Sequence, residues 1–177
     1  LVKQLRTEAE HLTILVVEDD PILNEELMEL LAMFFQEVFS AKNGLEGFEK
    51  FQELQPDIIL SDITMPKMNG VELSSNIRKI DKEQPIVILS GHRELHFLNQ
   101  LIEIGVTNFI PKPYELQELL YKLVDVSSQV NIRKKLAQAQ TEAASGFGDL
   151  GDLFSEEELD EIAGYDHISR PHLRTNL

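Results

Sequence analysis

With 177 residues, 31 acidic against 16 basic side chains and a formal charge of −15, the chain suits one domain of about 120 residues plus an appendage, and an acidic surface without a basic stripe argues against direct nucleic-acid binding. Cysteine is absent, which excludes a disulfide framework, a thiolate zinc site and a thiol nucleophile. No apolar run nears the roughly 18 to 20 residues that cross a bilayer, and the first residues lack the shape of a signal peptide, so a cytoplasmic protein is expected, its Leu1 start reading as the trimmed end of something longer.

Residues 1–11 form an N-terminal extension. A first apolar run, Leu12 to Val17, reads as a strand and is closed by Glu18, Asp19 and Asp20. Pro21 to Phe35 has helical spacing (Ile22, Leu23, Leu27, Leu30, Leu31, Phe34), and Glu37 to Ser40 reads as a second strand. After the Asn43-Gly44 break comes a helix from Leu45 to Leu54, then a strand from Asp57 to Leu60, with Asp62 just beyond it. Gly70 precedes a helix over Val71 to Ile80. A fourth strand spans Pro85 to Leu89, and a helix spans Glu94 to Ile104. Gly105 precedes the fifth strand, Val106 to Ile110, which Lys112 and Pro113 follow; a last helix covers Tyr114 to Val126. Residues 129–145 read as a helical linker. Residues 146–177 carry eight acids and two arginines and cannot hold a core, although Phe154 to Ile162 has the form of a short capped helix, with Ser155 as N-cap and Glu158 closing the box.

Most of the strands are continuously apolar, as parallel strands covered on both faces are. Strict alternation with helices predicts an α/β fold with a doubly wound parallel sheet, whose ligand crevice lies beyond the strand carboxyl ends. Glu18, Asp19, Asp62 and Lys112 all fall at such ends. Several carboxylates and one ammonium in a single crevice suit a divalent cation and phosphate chemistry.

Four pieces at these separations, Ile14 to Asp20, Pro56 to Gly70, Ile86 to Gly91 and Phe109 to Pro113, resemble the receiver domain of bacterial response regulators, the CheY-like family. The likeness covers Leu12 to Ser128. It implies a five-stranded flavodoxin-like sheet of order 2-1-3-4-5 with a helical C-terminal extension. It further implies a phosphoacceptor switch rather than a metabolic enzyme: Asp62 receives a phosphoryl group from a sensor histidine kinase. Asp19 and Glu18 hold Mg²⁺ with Asp62 and the main-chain carbonyl of Thr64, and Lys112, before a cis Pro113, faces the phosphoryl group. Pro66 and Gly70 shape the loop after Asp62.

By the same resemblance the Ser90 hydroxyl bonds the phosphoryl oxygen and Phe109 turns inward behind it, while Thr64 and His92 tune hydrolysis of the acyl phosphate. The surface of Glu94 to Ile104, Val106 to Ile110 and Tyr114 to Val126 then switches, toward a downstream protein, an output domain outside this chain, or a phosphorylation-dependent homodimer. Alternatives are a receiver-like scaffold that takes no phosphate, and the receiver portion of a larger regulator such as a hybrid kinase or a cyclic-dinucleotide enzyme. An aspartyl-phosphate hydrolase of the haloacid dehalogenase type needs a second acid where Thr64 stands. His92 and His96 are four apart, but Arg93 follows His92 where a metalloprotease helix carries Glu. Phe154 to Ile162 also looks like the short peptide of the flagellar motor switch protein that docks on phosphorylated receivers.

Overall fold

The computed structural model describes residues 1–91 and 95–148. The chain divides into two units, Leu1–Ile132 and Arg133–Leu177. The first contains a parallel sheet of five strands: β1 (Thr13–Val17), β2 (Glu37–Ala41), β3 (Ile58–Asp62), β4 (Ile86–Ser90) and β5 (Asn108–Pro111), in the order β2-β1-β3-β4-β5. The helices are α1 (Val2–Ala9), α2 (Pro21–Leu31), α3 (Gly44–Leu54), α4 (Gly70–Ile80), α5 (Leu95–Glu103) and α6 (Leu116–Gly148). This is the flavodoxin-like architecture that the alternation and the resemblance imply.

Alternate strand residues face opposite layers. Ile14, Val16, Ile58, Leu60, Val87, Leu89 and Ile110 pack with Leu27 and Leu31 of α2 and with Leu119, Leu123, Val126 and Val130 of α6. Leu15, Val17, Ile59, Ile86 and Ile88 pack with Phe51 of α3, Val71 and Ile77 of α4, and Leu101 of α5. β3 and β4 are buried at every position, the polar Ser61, Asp62 and Ser90 at their carboxyl ends included.

Several boundaries differ from the sequence reading. β2, β3, β4 and β5 each run further toward their carboxyl ends, and Asp62 and Ser90, expected at strand ends, are themselves the last residues of β3 and β4. The helix expected from Pro21 to Phe35 stops at Leu31, and Phe34 and Phe35 are buried in the turn that follows. The last helix begins at Leu116 and does not end at Val126: Ser127 and Val130 are buried within it, and no helix breaker intervenes before Gly146. The opening residues set aside as an extension include a helix, α1, whose Leu5 and Ala9 are fully buried in the first core layer. Asn131 donates to the Glu8 carbonyl at 2.9 Å and to its carboxylate at 2.8 Å, joining α1 to α6.

In the second unit the described residues belong to the end of α6; Leu136 is exposed, and the Thr141 hydroxyl donates to the Ala137 carbonyl at 3.0 Å. The helix read over Phe154 to Ile162, and the likeness it carries, lie outside the described residues, as do His92, Arg93 and Glu94. Among the described residues no helix is long and apolar enough to cross a membrane.

Candidate functional site

The register of the sheet brings the predicted residues to one edge. Val17 pairs with Ser61, Asp62 with Leu89, and Ser90 with Pro111, so the ends of β1, β3, β4 and β5 converge. Glu18 continues β1 by donating its N–H to the Ala41 carbonyl at 3.1 Å. Lys112 follows β5, and its N–H donates to the Ser90 carbonyl at 2.7 Å. The Lys112–Pro113 peptide is cis.

Glu18, Asp19 and Asp62 offer carboxylate oxygens that all lie within 4.8 Å of one another. The Lys112 ammonium is 3.0 Å from Asp62 Oδ2 and 3.6 Å from Glu18 Oε2. Asp62 Oδ1 accepts from the Ile63 N–H at 2.8 Å. Glu18 is only 2% exposed; its Oε1 accepts from the Asp20 N–H at 3.1 Å, while its Oε2 is buried without a hydrogen-bond partner. Burial raises the Glu18 carboxyl above the usual carboxylate range; the Asp20 amide opposes that, Asp62 adds to it and Lys112 offsets part. Burial by itself disfavours the charged form of Lys112, but the hydrogen bond and charge of Asp62, with the charge of Glu18, outweigh it and raise the ammonium above the ordinary lysine value. The Tyr114 phenol beside this group is also raised, first by burial.

Three carboxylates that each offer an oxygen within 4.8 Å of the others, one of them, Glu18, with a buried oxygen lacking a hydrogen-bond donor, make a set of hard oxygen donors that fits Mg²⁺. Asp20 does not join it. Its carboxylate caps α2, accepting from the Ile22 and Leu23 N–H groups at 2.9 and 3.2 Å, with Pro21 at the first helical position. Among the three acids that close the first apolar run, Asp20 thus serves the helix rather than the carboxylate cluster.

The loop after Asp62 is held by backbone contacts that exclude side chains. The Gly70 N–H donates to the Ile63 carbonyl at 2.7 Å, and a Cβ at Gly70 would stand 2.4 Å from the Asp62 carbonyl oxygen. The Gly44 N–H donates to the Met68 carbonyl at 3.0 Å, and a Cβ there would meet that same oxygen at 2.2 Å. Between these anchors Lys67 adopts φ 67°, and the Met68 N–H reaches the Pro66 carbonyl at 2.8 Å, a γ-turn.

Ser90 is buried at the end of β4, and Phe109 on β5 is half-buried against the second core layer. Thr64 is exposed in the loop after β3. Sequence reasoning passes over Asn24, which is buried on α2 and donates to the Glu18 and Ala41 carbonyls at 2.9 and 3.2 Å. A polar residue within an otherwise apolar helical stripe was the available signal.

The model of the response regulator receiver domain matches residues 14–124. The chain belongs to the response regulator receiver family. It is 35% identical over 115 residues to the chemotaxis protein CheY of Thermotoga maritima, covering 64% of this chain and 96% of that one. It is 31% identical over 145 residues to hybrid signal transduction histidine kinase D of Dictyostelium discoideum, 81% of this chain but only 9% of that protein's length. Among solved structures, a receiver domain protein from Clostridium thermocellum is similar with TM-score 0.64 and 27% identity, covering 71% of this chain and 98% of that one. The N-terminal domain of an uncharacterized protein from Wolinella succinogenes gives TM-score 0.64 and 36% identity over 70% of this chain and 98% of that one.

Proposed function

We propose that this receiver accepts a phosphoryl group on Asp62 and relays its presence through the surface of α5, β5 and α6. The observation that carries the reading is the placement of Asp62: the last residue of a buried strand, 3.0 Å from the Lys112 ammonium and grouped with two further carboxylates. An Asp62 carboxylate oxygen attacks the phosphorus of a phosphohistidine on a sensor kinase. The new O–P bond forms as the P–N bond breaks, and the departing imidazole takes up a proton. Glu18, Asp19, Asp62 and the Thr64 carbonyl would hold Mg²⁺. The ion's contribution is to neutralise charge on the transferring phosphoryl oxygens. Lys112 stays within reach of the same oxygens as the Asp62 charge is replaced by the phosphoryl charge.

The Ser90 hydroxyl moves to the new acceptor oxygens, and half-buried Phe109 follows it inward on β5. Thr64 and His92 set the access of the hydrolysing water. The exposure of Ile102 on α5 and Tyr121 on α6, at 53% and 62%, supports this surface as the one read by a downstream protein, an output module or a second copy. The likeness to a hybrid kinase across 81% of this chain favours, as a second reading, a receiver portion of a larger regulator.

The test is the intact mass of the chain after incubation with acetyl phosphate and Mg²⁺. One phosphoryl addition is expected, abolished by Asp62→Asn and by a chelator. Equal labelling of Asp62→Asn, or sustained turnover of the donor by a chain that stays unmodified, overturns the reading.

A further inference from the structure

A residue outside the phosphoryl chemistry is bonded to the backbone that carries its acids. Asn24 lies on α2 and is 7% exposed, in the helix face that carries buried Leu27 and Leu31. A buried amide is costly unless its hydrogen-bonding groups are satisfied, and here both donors and the oxygen each have a partner. Its Nδ2 donates to the Glu18 carbonyl at 2.9 Å and to the Ala41 carbonyl at 3.2 Å, while its Oδ1 accepts from the Ser40 hydroxyl at 2.7 Å. Two carbonyls facing one end and a hydroxyl facing the other fix which end of the amide is the donor.

Those contacts fall at the critical peptide. Glu18 is held on one side by its N–H to the Ala41 carbonyl, at 3.1 Å, and on the other by the Asn24 amide on its own carbonyl. The Glu18–Asp19 peptide plane therefore has a fixed orientation, and the two carboxylates that flank it project from a fixed base. The next residue is fixed as well: Asp20 caps α2, and its carbonyl accepts the Asn24 N–H at 2.9 Å. The network runs on into β2 and α3. The Lys50 ammonium donates to the Ser40 carbonyl and pairs with Glu46 at 2.9 Å, and Glu46 accepts the Lys42 N–H at 3.0 Å.

We propose that Asn24, oriented by Ser40, is a positioning residue for the divalent cation: it holds the Glu18–Asp19 peptide so that both carboxylates meet one ion with Asp62. The inference rests on the reading of Glu18 and Asp19 as cation-holding residues and names a determinant of that site which touches neither ion nor phosphate. Outer groups of this kind orient metal-binding side chains, and their loss typically weakens metal affinity by about 10- to 100-fold.

The experiment titrates the full chain with Mg²⁺ and follows the amide shifts of Glu18, Asp19 and Asp62. Asn24→Leu keeps the apolar volume and removes both donors; it is expected to weaken Mg²⁺ binding about tenfold. Ser40→Ala frees the amide to turn and is expected to weaken binding by a smaller factor, about threefold. Ser40→Ala also carries the test alone if Asn24→Leu does not fold. Thr13→Val, at the opposite end of the sheet, removes a comparable hydrogen bond and serves as the control for lost stability alone; its Mg²⁺ affinity is expected to equal that of the native chain. Native affinity in both Asn24→Leu and Ser40→Ala, or an equal loss in Thr13→Val, overturns the proposal while leaving the cation site standing. A native chain whose shifts show no saturable response to Mg²⁺ overturns the cation reading itself, and this inference with it.

Discussion

Strand β3 is bracketed by two aspartates with opposite circumstances. At its entry Asp57 accepts from the Thr13 N–H at 3.0 Å and from the Thr13 hydroxyl at 3.4 Å, while its own N–H donates back to that hydroxyl at 3.1 Å. Beside it the buried Gln84 amide donates to the Pro56 carbonyl at 3.0 Å. That end is a closed polar lock. At its exit Asp62 is crowded by Glu18 and Asp19, with Lys112 opposite and one Glu18 oxygen lacking a donor. One end spends its carboxylate on joining β1 to β3; the other concentrates negative charge that a fold on its own would avoid. The contrast shows that carboxylates at strand ends differ by partner, and that the unsatisfied end is where ligand binding can recover the cost.

The largest effect should come from Lys112. Lys112→Met removes the cation while leaving the acids in place, and without added cation it is expected to destabilise the chain by about 3 kcal/mol. Because the loss is one of charge compensation, millimolar Mg²⁺ should recover a substantial part of it. Urea denaturation with and without Mg²⁺ measures both. At the other end Thr13→Val is expected to cost about 1 to 2 kcal/mol by leaving the Asp57 N–H and carboxylate short of a partner, and Mg²⁺ should recover none of it. Equal cation dependence of the two variants would erase the distinction between the ends.

Glu18 sharpens the comparison in the opposite direction. Its folded-state carboxyl is raised by burial and by the Asp62 and Asp19 charges, against the Asp20 amide and Lys112. The folded chain thus binds this proton more tightly than the unfolded chain does. The group's contribution is most favourable at acid pH, below the ordinary glutamate value, and is lost as pH rises through the folded value. Glu18→Gln should therefore raise stability at neutral pH by about 1 kcal/mol, in the absence of divalent cation, and the gain should vanish in acid. The same variant should bind Mg²⁺ more weakly. A gain over the native chain that is no larger at neutral pH than in acid would show that Glu18 is not strained.

These contrasts also explain what could be read from the sequence. β1 and β3 were legible because each has an apolar run followed by an acid, Glu18 directly after β1 and Asp62 after Ser61 at the end of β3, and the parallel register carries those acids to one edge. Helix α1 was not: over Val2–Ala9, Leu5 and Ala9 are the buried residues, and they stand among Lys3, Gln4, Arg6, Thr7 and Glu8. Two anchors give too weak a period, although Leu1, Leu5, Ala9 and Leu12 continue the spacing. The last helix, read as ending at Val126, runs on through Ser127, and Ser127 and Val130 are buried, so packing overrides polarity in α6. Asp20 was legible in principle, since Asp before Pro at a helix start is a capping signal, but two neighbouring acids with clearer roles hid it. Asn24 showed only as a polar break in the apolar stripe of α2; its partners could not be read, because its acceptors are main-chain carbonyls beside β1 and at the end of β2.

The smallest expected effect concerns Glu46, which lies on the network behind the acids. The hydrogen bond from the Lys42 N–H is the main influence holding its carboxyl below the usual range, burial opposes it, and Lys50 lowers it further. Its sign is opposite to that of Glu18: the folded chain releases this proton more readily, so the contribution is present above the ordinary glutamate value and is lost as pH falls through the folded value. Glu46→Gln keeps an oxygen for the Lys42 N–H and removes the charge facing Lys50. The pair is about a third exposed, so solvent screens it and a loss of only about 0.3 to 0.5 kcal/mol is expected at neutral pH and low salt. The loss should shrink with added salt and close in acid, where native Glu46 is itself protonated. Denaturation midpoints of the two chains across pH read this directly. A difference that persists in acid would trace to packing of the amide rather than to charge, and would make Glu46 a structural brace, like Asp57 at the far end of the sheet.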